Sequence, residues 1–189
     1  MASKIVAKIV EGATERFAKQ GYFGTSTRDV ALKADVAEPS IYRLFLSKEK
    51  LFHECLTAVI EQSLDPAQFQ AVISLPEAGE GFAGAAARAV RRWYFSVSSQ
   101  SARLLMQAAL SDNKEWTEMA YSRLDKIIGI LAKSVEKETN ISKAKAIVAA
   151  RTLILALFQF KIARPMLSSA DKERDAVDGT IDQWLQGLT

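Results

Sequence analysis

Residues 25–52 read TSTRDVALKADVAEPSIYRLFLSKEKLF, and this stretch decides the fold. A first short helix is expected over 26–34, with Val30 and Ala31 turned inward. Ser26 stands where an N-cap belongs, and Asp29, three residues on, is placed to reach back as in a capping box. The turn is Asp35-Val36-Ala37, pinned by the apolar Val36. Asp35 holds the place where such turns usually carry glycine for its positive φ, and Asp is among the few other residues that tolerate that region. A second helix is expected over 38–44, with Pro39 in its first turn, where the missing N–H costs nothing. Ile41 and Leu44 are its expected buried stripe, which turns Pro39, Ser40, Tyr42 and Arg43 outward. Two short helices split in this way have the geometry that sets a second helix into the DNA major groove.

Working outward, Val6, Ile9, Ala13 and Phe17 recur at helical spacing over 3–19, and Gly21 stands where a left-handed residue would end that helix. Ser47 is the expected N-cap of a further helix through Leu51, Cys55, Leu56 and Val59 to about 63. Pro66, Pro76, Gly79 and Gly81 make 64–81 a loop or a short broken helix. Helices are then expected over 82–98 and 100–110, and from a cap at Ser111 or Asp112 to about 140. Two more run over 142–166 and 170–188. The first of these is apolar nearly all round and must be covered on both sides. Ile147, Ile154, Phe158 and Ile162 from it, with Val177, Ile181 and Trp184 from the last helix, suit a four-helix dimer bundle.

The segment from residue 5 to 60 resembles the DNA-binding domain of the TetR family of bacterial transcriptional regulators. The likeness rests on Phe17, Gly21, Tyr22, Thr25 and Ser26, then Val30-Ala31, Val36, Tyr42, Phe45, Ser47-Lys48-Glu49 and Leu51-Phe52. It covers roughly a third of the chain; the remainder agrees only in length and helical character. The resemblance implies an all-α chain with a three-helix helix-turn-helix domain at 1–47, the motif itself at about 26–45. A helical ligand-binding and dimerisation domain would occupy 48–189. It further implies a homodimeric repressor on a palindromic double-stranded DNA operator, released by a small-molecule inducer.

Composition agrees. Of the net charge of +3, residues 1–50 hold nine Lys/Arg against six Asp/Glu, while the rest of the chain holds sixteen of each. The excess therefore sits on the helix-turn-helix segment, as contact with phosphate requires. Cys55 is the only cysteine and lies at core spacing, and His53 is the only histidine, so neither a thiolate cluster nor a metal site is expected. No cofactor is expected. The first residues lack the apolar run of a signal peptide, and the apolar stretch at 144–166 is interrupted by Lys145, Arg151, Lys161 and Arg164. A cytoplasmic protein with no membrane span is expected.

Ser26 and Thr27 lie at a helix N-terminus, where free N–H groups favour a phosphate. The resemblance assigns Tyr42 and Lys48 to the DNA backbone. Arg28, Glu38, Pro39, Ser40 and Arg43 are then left for base edges, where Arg grips guanine and Glu accepts from cytosine, although Glu38 equally suits a helix cap. A ligand cavity is implied by the resemblance alone; Trp93, Phe95, Met106, Trp116, Met119 and Tyr121 are the large adaptable residues available to it. Two alternatives stay open: a helical module that binds a protein partner, and a ligand-independent DNA binder. One His, one Cys and no paired carboxylate motif leave almost nothing for catalysis, so no catalytic residue is assigned.

Overall fold

The computed structural model of this protein describes residues 2–63, 65–75, 77, 79–163 and 169–188. Among the described residues there are ten helices and no strand, the all-α chain that the sequence implies. In chain order they are α1 (Ala2–Gly24), α2 (Thr27–Ala34), α3 (Glu38–Phe45), α4 (Lys48–Ser63) and α5 (Pro66–Ser74). Then follow α6 (Phe82–Ser96), α7 (Ser99–Ala109), α8 (Lys114–Glu138), α9 (Lys143–Ala163) and α10 (Ala170–Gln186). Two compact units divide them: Met1–Gln62 with Gln100–Tyr121, and Ser63–Ser99 with Ser122–Thr189. The first unit thus gathers α4, α7 and the start of α8 around the helix-turn-helix segment.

In the first unit the core holds Ile9, Ala13 and Phe17 of α1, Val30 of α2, Ile41 of α3 and Leu51, Phe52 and Leu56 of α4, all essentially without solvent exposure. α1 and α2 approach closely at Gly12, where an added Cβ would lie 3.3 Å from the Lys33 side chain. α1 runs past its expected end and breaks at Gly21, whose φ of 80° and ψ of 167° belong to a region essentially confined to glycine. The break is stitched by Thr25 Oγ1, which donates to the Gly21 carbonyl at 2.8 Å, and by Gln107 Nε2, which donates to the Phe17 carbonyl at 2.9 Å. Cys55 is buried in this core, and burial pushes its thiol up to about 12. It stays protonated at neutral pH, unlike the exposed low-pKa thiolate of a redox sensor.

The second unit holds α5, α6, α9, α10 and the later turns of α8. α5 occupies part of the segment read as a loop or broken helix; Asp65 Oδ1 caps it by accepting from the Ala67 N–H at 2.9 Å. Pro76, one of the expected breakers, lies outside the described residues. α6 buries Ala85, Ala86, Ala87 and Ala89, small residues that permit close approach of neighbouring helices. The cap of α8 is Asn113, whose Oδ1 accepts from the Trp116 N–H at 3.2 Å, and not Ser111 or Asp112. Ser111 instead donates to the Ala108 carbonyl within the preceding turn.

α9 buries Ala146, Ala150, Leu153, Ile154, Leu157 and Phe158 against its own unit, while Val148 is 64% and Leu155 42% exposed. Its expected end at 166 lies outside the described residues. Length and a mean hydropathy of 1.7 would let α9 cross a membrane. Its inner face, however, is core and includes the ammonium of Lys161, 3.1 Å from Glu173 Oε1. The same carboxylate oxygen accepts from the Tyr94 hydroxyl at 2.7 Å, and Lys161 Nζ lies 4.0 Å from the Tyr94 ring centre. Nearby, Trp184 Nε1 donates to the Ala149 carbonyl at 2.9 Å and fixes α10 on α9.

Candidate DNA-binding surface

The start of α2 is built as its sequence dictates. Ser26 Oγ accepts from the Asp29 N–H at 3.0 Å, and Asp29 Oδ2 accepts from the Ser26 N–H at 3.3 Å, closing the capping box. The hydrogen bonds from Ser26 hold the Asp29 carboxyl below its ordinary range. α2 ends at Asp35, which takes the left-handed conformation (φ 53°, ψ 53°) that the turn requires. Val36 follows, half-buried, its N–H donating to the Ala31 carbonyl at 3.0 Å.

α3 buries Ile41 and Phe45. The expectation for Leu44 is corrected: it is 36% exposed, because the spacing that faces the core is four and not three. Pro39, Tyr42 and Arg43 are exposed and Ser40 half-exposed, so the helix presents the outward set expected of it. The corner into α4 is tight. Leu46 has φ 67° and ψ −37°, and the Ser47 N–H donates across it to the Phe45 carbonyl at 2.8 Å, which makes a strained γ-turn.

A hydrogen-bonded triangle braces α2 on α3. Thr27, 7% exposed, donates from Oγ1 to Glu38 Oε1 at 2.6 Å and lies 3.0 Å from the Tyr42 hydroxyl. Thr27 has one hydroxyl proton and gives it to a carboxylate, which only accepts, so the Tyr42 proton points to Thr27. In this arrangement Tyr42 faces outward with acceptor lone pairs, and donation to a phosphate requires its hydroxyl to turn away from Thr27. Glu38 thereby has a bracing partner on the neighbouring helix.

Lys48 is also engaged. Its Nζ donates to the carbonyls of Tyr22 (3.0 Å) and Thr25 (3.1 Å) and lies 4.4 Å from the Tyr22 ring centre. It clips the α1–α2 connection to the first turn of α4 and carries its charge beside the α2 N-terminus. This Tyr22–Thr25–Lys48 clip is a feature that local reading missed; the only signal was the run Gly21-Tyr22 followed by Thr25. Ser26, Arg28 and Arg43 are exposed.

Of the ligand candidates, Met106, Trp116, Met119 and Tyr121 belong to the first unit and Trp93 and Phe95 to the second. Trp116 is 6% exposed and packs on Tyr22 and Phe52, with ring centres 4.9 and 4.5 Å apart. Trp93 is buried, whereas Phe95 and Tyr121 are 47% and 43% exposed. Of the interface candidates, Ile154, Val177 and Ile181 have no exposure and Phe158 has 5%, so they fill the core of their own unit. The exposed large apolar residues of α9 are Ile147, Val148 and Leu155, while the candidates Ile162 and Trp184 are half-buried. Among the described residues no three His, Cys, Asp or Glu side chains are grouped to hold a metal ion.

Comparison with known proteins agrees with this geometry. Residues 9–55 match the family described as bacterial regulatory proteins, tetR family. An HTH-type transcriptional regulator of Bacillus subtilis (strain 168), YhgD, is 37% identical over 68 residues. That match spans 36% of this chain and 36% of YhgD, about a third of each. Among solved structures, a TetR-like transcriptional regulator from Rhodococcus sp. RHA1 is similar over 96% of this chain and 95% of its own, with a TM-score of 0.72 at 18% identity. PfmR, a TetR family transcriptional regulator from Thermus thermophilus, gives 0.69 at 17% identity over 96% and 95%. NalD, the secondary repressor of the MexAB-OprM multidrug efflux pump in Pseudomonas aeruginosa, gives 0.62 at 20% identity over 99% and 98%. At these identities the structures share the fold.

Proposed function

We propose that this chain, which residues 9–55 make a member of the TetR family of bacterial regulatory proteins, is a homodimeric repressor that binds a palindromic operator and is released by a small molecule. The observation that carries the DNA-binding part is α3: Ile41 and Phe45 hold it to the core while Pro39, Ser40, Tyr42 and Arg43 face solvent. In this reading Arg28, Pro39, Ser40 and Arg43 meet base edges, and Ser26, Tyr42 and the charge of Lys48 meet phosphate. Thr27 and Glu38 serve by holding α2 and α3 at a fixed angle. The protein acts in the cytoplasm, where the chromosome lies.

The second copy docks on the exposed face of α9, where Ile147, Val148 and Leu155 are the apolar residues. A two-fold dimer then matches a two-fold operator, with recognition helices about 34–36 Å apart. An inducer held among the middle helices lowers DNA affinity by favouring another separation of the recognition helices.

Two variants separate base reading from phosphate contact. Arg28→Ala is expected to cost about 1–3 kcal/mol at particular base pairs and to leave non-specific binding nearly unchanged. Lys48→Ala is expected to weaken binding to all duplexes alike, since it removes a cation and loosens the clip on Tyr22 and Thr25. Fluorescence anisotropy on the inverted repeats flanking the chain's own gene measures both. Equal loss on matched and scrambled duplexes for Arg28→Ala would refute its assignment.

A further inference from the structure

A cavity of about 660 Å³ opens within the first unit between the end of α1, the start of α4 and the corner joining α7 to α8. Its walls are aromatic: Tyr22, Phe52 and Trp116, whose ring centres lie 4.5 to 5.3 Å apart. Phe23, 94% exposed, and Leu110, 76% exposed, stand at its edge. Its charged lining groups are Glu49 and Asp112, and no Lys or Arg lines it. Gln107 lines it as well. Donation from Nε2 to the Phe17 carbonyl fixes that amide and leaves Oε1 buried without a hydrogen-bond partner.

We propose that this cavity binds an aromatic ammonium, a ring system carrying a protonated amine, and that its occupancy weakens DNA binding. Each part of the lining selects for that chemistry. Tyr22 and Phe23 keep ring surface open to a cation and an aromatic body, while Phe52 and Trp116, 1% and 6% exposed, form an apolar floor. The two carboxylates favour positive charge and oppose an anion. The effect on DNA rests on the function proposed above; the site itself does not. Tyr22 is the link. Its carbonyl and that of Thr25 hold the Lys48 ammonium, which also lies over the Tyr22 ring, and Thr25 directly precedes the Ser26 cap of α2. A second cation on Tyr22 opposes Lys48, opens the clip and displaces the start of α2. By linkage, DNA lowers ammonium affinity by the same factor.

The probe pair is tryptamine and tryptophol, the same indole carrying an ammonium or a hydroxyl. Calorimetry on the full chain without DNA is expected to show tryptamine binding at least about tenfold more tightly than tryptophol. Replacing Glu49→Gln together with Asp112→Asn is expected to abolish that difference while leaving tryptophol unchanged, and both positions are exposed enough to preserve the fold. Equal binding of the two probes, a difference that survives the double substitution, or no tryptamine heat at millimolar concentration overturns the site. Saturating tryptamine is then expected to reduce affinity for a duplex selected by the protein at least about fivefold. Unchanged affinity overturns the coupling and leaves induction to another cavity. Tryptamine binding in a chain that selects no duplex upholds the site and sinks the DNA-binding reading instead.

Discussion

Replacing Glu173 by alanine is expected to lower the free energy of unfolding by about 3–5 kcal/mol, because it takes away the carboxylate that meets the Lys161 ammonium in the core of the second unit. Glu173 is 4% and Lys161 5% exposed, and one carboxylate oxygen serves both Lys161 and the Tyr94 hydroxyl. Each ion has lost its water, and the mutual attraction with the Tyr94 bond and ring contact offsets that loss. For a chain of this size the melting temperature should fall by about 10 °C. Combining Glu173→Gln with Lys161→Met removes both charges, keeps an acceptor for Tyr94, and is expected to recover most of the loss. Denaturant unfolding of the two variants decides the matter. A single Glu173→Ala variant within about 1 kcal/mol of the parent would show that the pair is solvated and the core looser than described.

The second large effect concerns assembly. Val148→Glu with Leu155→Glu places two carboxylates on the apolar face of α9 that lies exposed in the single chain. Since neither residue fills the chain's own core, helicity and the folding of each unit should persist. A docked second copy, in contrast, would bury both charges unpaired. The double variant should therefore sediment as a monomer at micromolar concentration where the parent is a dimer. Losing the second recognition helix removes the avidity of linked half-sites, so affinity for an inverted repeat should drop about 10²–10⁴-fold. A parent that sediments as a monomer, or a variant that remains a dimer, would place the interface elsewhere or remove it.

The parts of the molecule legible in the sequence are those settled by neighbours along the chain. Ser26 and Asp29 declare a capping box within four residues, Asp35 a left-handed turn, and Pro39 a helix start. Where two local rules offer the same apolar spacing, only the surrounding core decides. In the eight residues of α3, Leu44 at three and Phe45 at four from Ile41 were equally eligible, and the core took Phe45. The γ-turn at Leu46 has no signature, because leucine is a residue that this backbone disfavours.

Polar groups were harder still. Thr27 meets Glu38 and Tyr42 from 11 and 15 residues away, a juxtaposition set by the packing of two helices. Lys161 read as an interruption of an apolar run, yet it follows Leu157 and Phe158 at core spacing, and Glu173 precedes Val177 in the same way. Two charges of opposite sign at core registers were the available signal for a buried pair. The six large side chains collected for a ligand divided between two units, because aromatic and methionine side chains fill a core as readily as they line a cavity.

The central claim is that two copies of the α2–turn–α3 unit bind DNA through phosphate-positioned base contacts. The most direct measurement is selection of duplexes from a random pool by the full chain, followed by titration of the enriched sequence between 50 and 200 mM salt. The account predicts an inverted repeat whose half-site centres lie about one helical turn apart, bound with an affinity that falls steeply and linearly on a log–log plot against salt. No enriched repeat, or an affinity that does not change across that salt range, would contradict it.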